Sequence, residues 1–325
     1  MAVIAFDGSQ YILPGSEEIR KTYDTETPIL KAGGRYFPQA LVMTAFDVFR
    51  KMPVARTITN TKCSERAELM KMIPDLMVKS LAVLDRGYFG YEVFCRIIHE
   101  TKHEFLAKVP LKGSFKELDA FVATGKAEGL ITIAPTQSYL RRVKSGKALL
   151  VEHLEPITVR VIRTRIGKDE FILITSLLDK KTYTTKDLIK LYKDRWEVEN
   201  YYRDEKMWLT IEDFMTESVL GVTQELFASM IMSIVTRIAI YIEERDLERK
   251  GEPQYYNAIT AIGKAVPRII ALGIQQCKIF LSNLMKEIVE VRFYKPQKLR
   301  SYPRISRRPH NKWKCMALKQ LEQLK

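Results

Sequence analysis

The chain has 325 residues, of which 46% are hydrophobic and 28% are charged, and its formal net charge is +14 at pH 7. These values are ordinary for a globular protein with one large core or two modest ones, and the excess of positive charge favours a polyanionic partner. The four cysteines show no paired spacing, which argues against a disulfide framework and indicates reduced cytosolic thiols. The N-terminus enters a strand directly without a basic leader, which argues against a signal peptide.

The first 110 residues have the pattern of a mixed sheet with helices. A plausible N-cap, Ser64, begins an amphipathic helix that we predict to reach about Val78. A second helix of the same pattern is predicted from Tyr91 to Glu100. Short apolar runs predict strands at 2–6, 38–48, 53–59, 81–84 and 104–109. We therefore interpret residues 1–110 as the first part of an α/β core.

The pattern changes after that point. Residues 111–178 alternate short β-branched runs with Gly and Lys turns, which indicates a β-rich insertion with strands at 130–133, 157–162 and 171–175. Residues 179–246 are predicted to be the second part of the core, in which Thr184 caps a helix. Residues 247–325 are predicted to be a helical and basic C-terminal region. Within the second part of the core, Leu226–Ile242 is apolar but contains Arg237, so it is predicted to be a buried helix rather than a membrane span.

Two acids follow predicted strands. Asp7 comes after the first apolar run and Asp85 after the fourth, and a glycine follows each of them closely. Carboxylates at the carboxyl ends of neighbouring strands point into the crevice where open α/β sheets bind ligands. A single Asp in this position is more often a turn former or a helix N-cap. Two such acids together with a third on a nearby helix indicate a divalent-metal site.

The third acid lies in the stretch Tyr192 to Lys206, which has the pattern Y-x2-R-x3-E-x6-K. On one α-helix, its defining residues would fall at about 0°, 300°, 340° and 320°, a stripe about 60° wide and about 21 Å long. These residues are Tyr192, Arg195, Glu199 and Lys206. Such a stripe can follow several phosphates while it holds one acid. The alternative is a solvated helix face with i,i+4 ion pairs.

Neighbouring side chains of the same helix fall into two groups. Arg203 lies at about 20° on the same face and can add to the phosphate contacts. Trp196 lies at about 40°, where we interpret it as a core contact rather than a base-stacking platform. Glu197 and Glu205 fall on other sides of the helix and are not assigned to the site. The pair His99 and His103 lacks a metal-binding pattern and is interpreted as a surface feature.

Asp7-Gly-Ser, Asp85-Arg-Gly-Tyr-Phe and the Y-x2-R-x3-E-x6-K stretch occur here in the same order as in a known family. Together they resemble the DDE transposases of the bacterial insertion-sequence-four family, over a region from Asp7 to about Asp246. The resemblance implies a ribonuclease H-like mixed sheet flanked by helices and interrupted by an insertion. It also implies a metal-dependent enzyme that cleaves DNA and transfers strands at insertion-sequence ends, in cut-and-paste transposition.

The family's chemistry assigns roles to the candidate residues. Asp7 and Asp85 would be metal ligands shared between two ions, Mg²⁺ or Mn²⁺, and Glu199 would be the third ligand. By resemblance, Tyr192, Arg195 and Lys206 would hold backbone phosphates, with Arg203 adding to them. The implied partner is double-stranded DNA, at both the transposon ends and the target. We also expect a homodimer in a synaptic complex, no membrane contact and a cytoplasmic, nucleoid-associated location.

The C-terminal segment carries most of the positive charge. Between Arg292 and Lys325 there are 11 Lys or Arg residues and one acid, Glu322, which together give +10 of the net charge. A basic tail of this kind could also be a solubilising extension or contact a membrane surface. The interleaved aromatic residues favour nucleic acid, because aromatics stack or pack while cations neutralise phosphate.

Two alternatives remain open at the level of the sequence. The chain could be a catalytically silent remnant that only binds DNA, or another nuclease of the same fold. Family members carry a helical region before the first catalytic strand, whereas Met1 is followed here at once by the strand of Asp7. We therefore expect a truncated or frame-split copy, or an end-recognition module supplied elsewhere.

Overall fold

The computed structural model describes residues 1–25, 37–111, 113, 115–146, 151–152, 154–166, 169–244 and 251–294. The chain divides into two compact units. The sheet unit comprises Met1–Gln10 and Ala40–Tyr201, and the helical unit comprises Tyr11–Gln39 and Tyr202–Lys325. The strands are β1 (Ala2–Ile12), β2 (Gln39–Asp47), β3 (Met52–Asn60), β4 (Ser80–Leu84), β5 (Glu104–Val109), β6 (Glu128–Ile133), β7 (Ile157–Ile166), β8 (Asp169–Thr175), β9 (Glu252–Pro253) and β10 (Arg292–Phe293). The helices are α1 (Glu17–Tyr23), α2 (Glu65–Met72), α3 (Tyr91–Glu100), α4 (Lys116–Ala123), α5 (Gln137–Lys144), α6 (Thr185–Asp194), α7 (Glu197–Trp208), α8 (Val219–Glu244), α9 (Tyr255–Ala271) and α10 (Ile274–Glu290).

Within the described residues, eight strands form one mixed sheet in the order β3-β2-β1-β4-β5-β8-β7-β6. β1, β4 and β5 run parallel, whereas β3 is antiparallel to β2. β8 pairs antiparallel with β5, and β7 pairs antiparallel with β8 and β6. The predicted α/β mixed sheet flanked by helices is confirmed. Strands of the predicted insertion extend this sheet beyond β5, while the four segment boundaries drawn from the sequence stay a prediction.

The strands at the centre of the sheet are formed by apolar runs of the sequence. All five residues of β4 are buried, as expected for a strand between two parallel neighbours whose faces are both covered. α2 and α3 contribute Leu69, Phe94 and Ile97 to the core, which also includes Ile4 and Phe6 of β1. Sheet and helices therefore share one continuous core on this face.

The predicted helix after Ser64 begins as expected but ends early. The Ser64 hydroxyl accepts a hydrogen bond from the Ala67 N–H, and α2 stops at Met72 instead of about Val78. A 3₁₀ turn, Ile73–Asp75, follows directly and contains Pro74 near its start. Proline has no N–H to donate to the preceding turn, so the α-helix cannot continue through it.

In the helical unit, α8, α9 and α10 pack around a small apolar cluster. Its buried members are Ala258, Ile262, Ala265, Leu284, Ile288 and Val289. Polar contacts also hold α8: Arg237 pairs with Asp204 at 3.3 Å, and the Tyr255 hydroxyl donates to the Ser233 hydroxyl at 2.8 Å. The buried side of α8 combines small or polar residues with apolar ones: Gly221, Val222, Leu226, Met230, Ser233 and Thr236.

The prediction of a buried helix over Leu226–Ile242 is therefore wrong. Only six of the 26 residues of α8 are buried and nine are exposed. The exposed apolar positions are Leu220, Phe227, Ile231, Val235, Ile238, Tyr241 and Ile242. The helix is longer than the apolar stretch suggested, with 26 residues and a mean hydropathy of 1.6 over its most apolar window. By length and composition alone it could cross a membrane, which for a single helix is weak evidence.

Candidate active site

Asp7 and Asp85 occupy matching positions on neighbouring parallel strands. The paired register of β1 and β4 runs to Ala5 opposite Val83. Asp7 follows two residues later in β1, and Asp85 directly follows the last residue of β4. The sequence placed Asp7 at a strand end, but β1 continues to Ile12 beside β2. The neighbouring strand β4 ends at Leu84, directly before Asp85.

Asp85 also has a structural role in its own turn. It is the N-cap of the 3₁₀ turn Arg86–Tyr88, and its Oδ1 atom accepts a hydrogen bond from the Gly87 N–H at 2.7 Å. A Cβ atom at Gly87 would lie 3.0 Å from the same oxygen, which explains the glycine. One carboxylate oxygen of Asp85 therefore acts as the N-cap that the alternative interpretation predicted.

The stretch that carries the third acid is not one continuous α-helix. α6 ends at Asp194 and α7 begins at Glu197. Between them, the N–H groups of Arg195 and Trp196 donate to carbonyls three residues earlier, at 3.3 and 3.2 Å. Such 3₁₀ bonding advances about 120° per residue instead of about 100°. The prediction of a single stripe over residues 192–206 is therefore wrong, because its two halves belong to different helices.

Arg195 lies at this junction and is paired with the acid that follows it. Its Nη2 atom donates to Oε1 of Glu199 at 2.7 Å, and its side chain is almost fully buried. Its Nη1 atom is also buried and has no hydrogen-bond partner within the part of the chain that the structure describes. The guanidinium thus uses one nitrogen to hold Glu199 and retains another that can donate to an anion.

Electrostatics link the acids of this region. Burial, the largest cause, raises the pKa of Asp7 to about 7, and the Arg195 guanidinium opposes this shift. The carboxylates of Glu65, Glu199 and Asp85 raise the Asp7 pKa further by repulsion. These acids of the sheet unit are therefore close enough for their charges to interact, and the region carries more negative than positive charge.

The donor set suits a hard divalent cation, which the DDE class implies. Carboxylate oxygens are the ligands that Mg²⁺ and Mn²⁺ prefer. Asp7, Asp85 and Glu199 are the side chains that would hold it. In the described ranges, however, no three acidic, His or Cys side chains are gathered closely enough to hold an ion. The residues fit by type, and Glu199 is engaged with Arg195.

Tyr192 is held near this cluster by α6. Burial raises the pKa of its phenol, while the nearby Arg195 guanidinium opposes the shift. Its ring contacts Phe171, with centroids 6.1 Å apart. The phenol therefore stays protonated at neutral pH and can donate a hydrogen bond.

The other two predicted phosphate-binding residues belong to the helical unit. Arg203 is exposed. The Nζ atom of Lys206 lies 4.6 Å from the centroid of the Tyr11 ring and 3.6 Å from a carboxylate oxygen of Glu212. The unassigned Glu205 is buried and accepts a hydrogen bond from the Tyr11 hydroxyl at 2.5 Å. DNA binding by Arg203 and Lys206 stays a prediction.

Two interpretations of single side chains are wrong. Trp196 is 57% exposed rather than part of the core, because it lies in the 3₁₀ junction and not on a packed helix face. His103 is only 4% exposed rather than a surface residue, and its Nδ1 atom accepts a hydrogen bond from the Ser80 N–H at 3.1 Å. His99 and His103 do not share a helix, since α3 ends at Glu100.

Sequence reasoning also missed one acid. Glu65 is the first residue of α2, and its Cδ atom lies 2.7 Å from the position that a Cβ atom on Gly8 would take. It lines a cavity of about 900 Å³ that also reaches Asp85, Arg66 and Glu92. The only signal in the sequence was its place directly after the cap, which equally fits an acid that stabilises a helix N-terminus.

The described structure therefore has a mixed sheet with an acid in β1, another directly after β4 and a third on α7. The sequence model of one family, described as Transposase DDE domain, matches residues 3–235. The chain belongs to this family. A comparison with curated proteins finds no match.

Among solved structures, the chain is similar to a piggyBac transposase, in a cryo-EM structure of its synaptic complex with hairpin DNA. The two share 11% sequence identity with a TM-score of 0.44. The match covers 87% of this chain and 57% of that chain.

Proposed function

We propose that this chain is the catalytic part of a bacterial DDE transposase of the insertion-sequence-four type. It cleaves DNA at the ends of its element and transfers the strands in cut-and-paste transposition. The observation that carries the proposal is that Asp7, in β1, interacts electrostatically with Asp85 after the neighbouring strand β4 and with the paired Arg195 and Glu199. Acids held by a rigid sheet next to an anion-binding guanidinium are what phosphodiester cleavage requires.

Each residue has a separate task in this proposal. Asp7, Asp85 and Glu199 would hold Mg²⁺ or Mn²⁺, which when bound activates the attacking oxygen and stabilises the leaving oxygen. Arg195 orients the substrate, because its buried Nη1 atom can donate to a phosphate oxygen while Nη2 still holds Glu199. Tyr192 donates from its protonated phenol to a second phosphate oxygen. Arg203 and Lys206 extend the phosphate contacts along α7.

We further propose that two copies pair on double-stranded DNA in the bacterial cytoplasm. Six exposed apolar residues of α8 fall within about 80° of one another around the helix axis. They are Leu220, Phe227, Ile231, Val235, Ile238 and Ile242. An apolar stripe of this kind is typical of an association surface. Sedimentation of the parent and of Ile231→Glu tests this, because a charge in the stripe is expected to yield monomers.

The decisive variant for the proposed chemistry is Glu199→Gln. It keeps the shape of the side chain but removes the charge, so nicking of supercoiled plasmid with Mn²⁺ is expected to fall by more than about 100-fold. DNA affinity is expected to hold or rise slightly, since one negative charge is lost. Glu197→Gln, two residues earlier, is the matched control and is expected to cut like the parent. If Glu199→Gln cuts DNA as well as the parent, Glu199 is a structural residue and the proposed function fails.

A further inference from the structure

A fourth acid, Glu65, lies beside the three that the family chemistry uses. It belongs to α2, on a different element from Asp7, Asp85 and Glu199. Its carboxyl group lies against the backbone of Gly8, the residue directly after Asp7. The contact depends on the missing side chain, because a Cβ atom on Gly8 would come within 2.7 Å of Glu65 Cδ and 2.8 Å of Oε1.

The surroundings fix the position of this carboxyl group. The buried Tyr88 hydroxyl hydrogen-bonds to Glu65, and Tyr88 belongs to the same 3₁₀ turn that Asp85 caps. The Glu65 carboxyl group thus lies between Gly8 of β1 and the Tyr88 side chain of the turn after β4. It also faces the cavity of about 900 Å³ that reaches Asp85. A solvated cation has access to this region through that cavity.

Helix stabilisation alone does not account for this arrangement. An acid in the first turn of α2 would favour the helix equally well if its side chain turned to solvent. Instead, the carboxylate interacts electrostatically with Asp7 and Asp85, both of the same charge. The nearest arginine on its helix, Arg66, is paired with Glu92 at 3.3 Å. Like charges held together cost free energy, which a bound cation would recover.

We propose that Glu65 is a positioning residue of the cation site, which raises the affinity for a divalent cation by adding negative charge next to Asp7 and Asp85. Tyr88 keeps the Glu65 carboxylate in place. This inference rests on the proposed function, since it concerns the same site. Glu65 is not one of the three acids assigned as metal ligands, and it does not belong to the Y-x2-R-x3-E-x6-K pattern.

The test is calorimetric binding of Mn²⁺ to the full chain without DNA. Glu65→Gln is expected to weaken binding about tenfold, as for other residues that support metal ligands. Tyr88→Phe is expected to weaken binding less, by about fivefold or below, because the carboxylate remains but loses one hydrogen bond. Glu65→Asp keeps the charge and is expected to retain most of the affinity. Glu117→Gln, which removes an acid from the first turn of α4, is the matched control and is expected to bind like the parent.

A second readout separates this role from a structural one. Without cation at pH 8, Glu65→Gln is expected to unfold at the same temperature as the parent or higher, because one repulsive charge is removed. A residue that only stabilised α2 would lower that temperature. Equal Mn²⁺ affinity for the parent, Glu65→Gln and Tyr88→Phe would overturn this inference alone. No Mn²⁺ binding by the parent would overturn the proposed function together with it.

Discussion

Arg195 determines the charge balance of the candidate site. Its guanidinium is almost fully buried and pairs with Glu199 through one nitrogen. It also lowers the pKa of Asp7, against the larger effect of burial. A lysine would supply the same charge, but its ammonium lacks the planar fork that can donate to two acceptors in fixed directions. The geometry thus explains why an arginine occupies this position.

Substitution of Arg195 tests this division of tasks. Arg195→Ala is expected to weaken DNA binding about tenfold to 100-fold, since a charge-assisted hydrogen bond contributes about 1.5–3 kcal/mol. Arg195→Lys is expected to give an intermediate loss, while metal-dependent nicking persists at a low level in both variants. Binding of a labelled duplex, measured by fluorescence anisotropy at fixed salt, gives the affinities. Lys193→Ala, exposed on α6, is the control. Parent-like affinity for Arg195→Lys would contradict the role of the fork.

The junction between α6 and α7 shows what sequence periodicity can and cannot establish. The spacing of the Y-x2-R-x3-E-x6-K pattern places the acid and the arginine one helical turn apart, and the structure pairs them. The same spacing does not reveal the 3₁₀ bonds at Arg195 and Trp196, because neither proline nor glycine marks the break. Short-range pairing was therefore predictable from the pattern, but alignment along the whole stretch was not.

The start of β5 offers a test at pH values below neutrality. His103 precedes this strand, and burial together with Lys102 and Lys79 lowers its pKa. The folded state therefore binds fewer protons here than the unfolded state, so stability is full above about pH 6.5 and is lost as the pH falls. The loss from this residue is at most about 1.4 kcal/mol per pH unit.

His103→Asn keeps an acceptor for the Ser80 N–H but cannot be protonated in this range. The free energy of unfolding in urea is measured at about pH 7.5 and about pH 5, which lie on either side of the ordinary His pKa. The difference between the two values is expected to be smaller for this variant than for the parent. His99→Asn, exposed on α3, is expected to behave like the parent. The same pH dependence in parent and His103→Asn would show that His103 is not the responsible group.

Across the whole molecule, positive charge is concentrated at the C-terminal end. Residues 295–325 contain ten Lys or Arg and one acid, and they lie outside the described residues. Arg292, which the sequence assigned to the same tail, pairs instead with Glu244 at 2.7 Å.

Removal of residues 295–325 is expected to flatten the salt dependence of DNA binding. Each phosphate contact contributes about 0.9 to the slope of log affinity against log salt, so the loss of several contacts lowers the slope by several units. Affinity measured from low to high salt for the parent and the shortened chain gives both slopes. A chain of the same length with these Lys and Arg residues replaced by Gln controls for the loss of length. Unchanged slopes would place the electrostatic contacts elsewhere.

The sheet was more predictable than the site it supports. Apolar runs such as that of β4 identified each core strand, because burial on both faces leaves a clear compositional signal. The continuation of β1 past Asp7 and the approach of Glu65 to Gly8 depend on strand pairing and on a contact between distant segments. No local pattern records such contacts. The exposed face of α8 was missed for the same reason, since contacts with α9 and α10 decide which of its apolar positions are buried.

The most direct test of the account is the location of Mn²⁺ in a crystal, from its anomalous scattering. The expected result is a peak in direct contact with carboxylate oxygens of Asp7 and Asp85, with Glu199 turned from Arg195 towards the ion. Such a peak should be absent from crystals of Asp7→Asn grown and soaked in the same way. A Mn²⁺ peak elsewhere, or none near Asp7 and Asp85 in crystals of the parent, would contradict the assignment of these acids as a metal-dependent cleavage site.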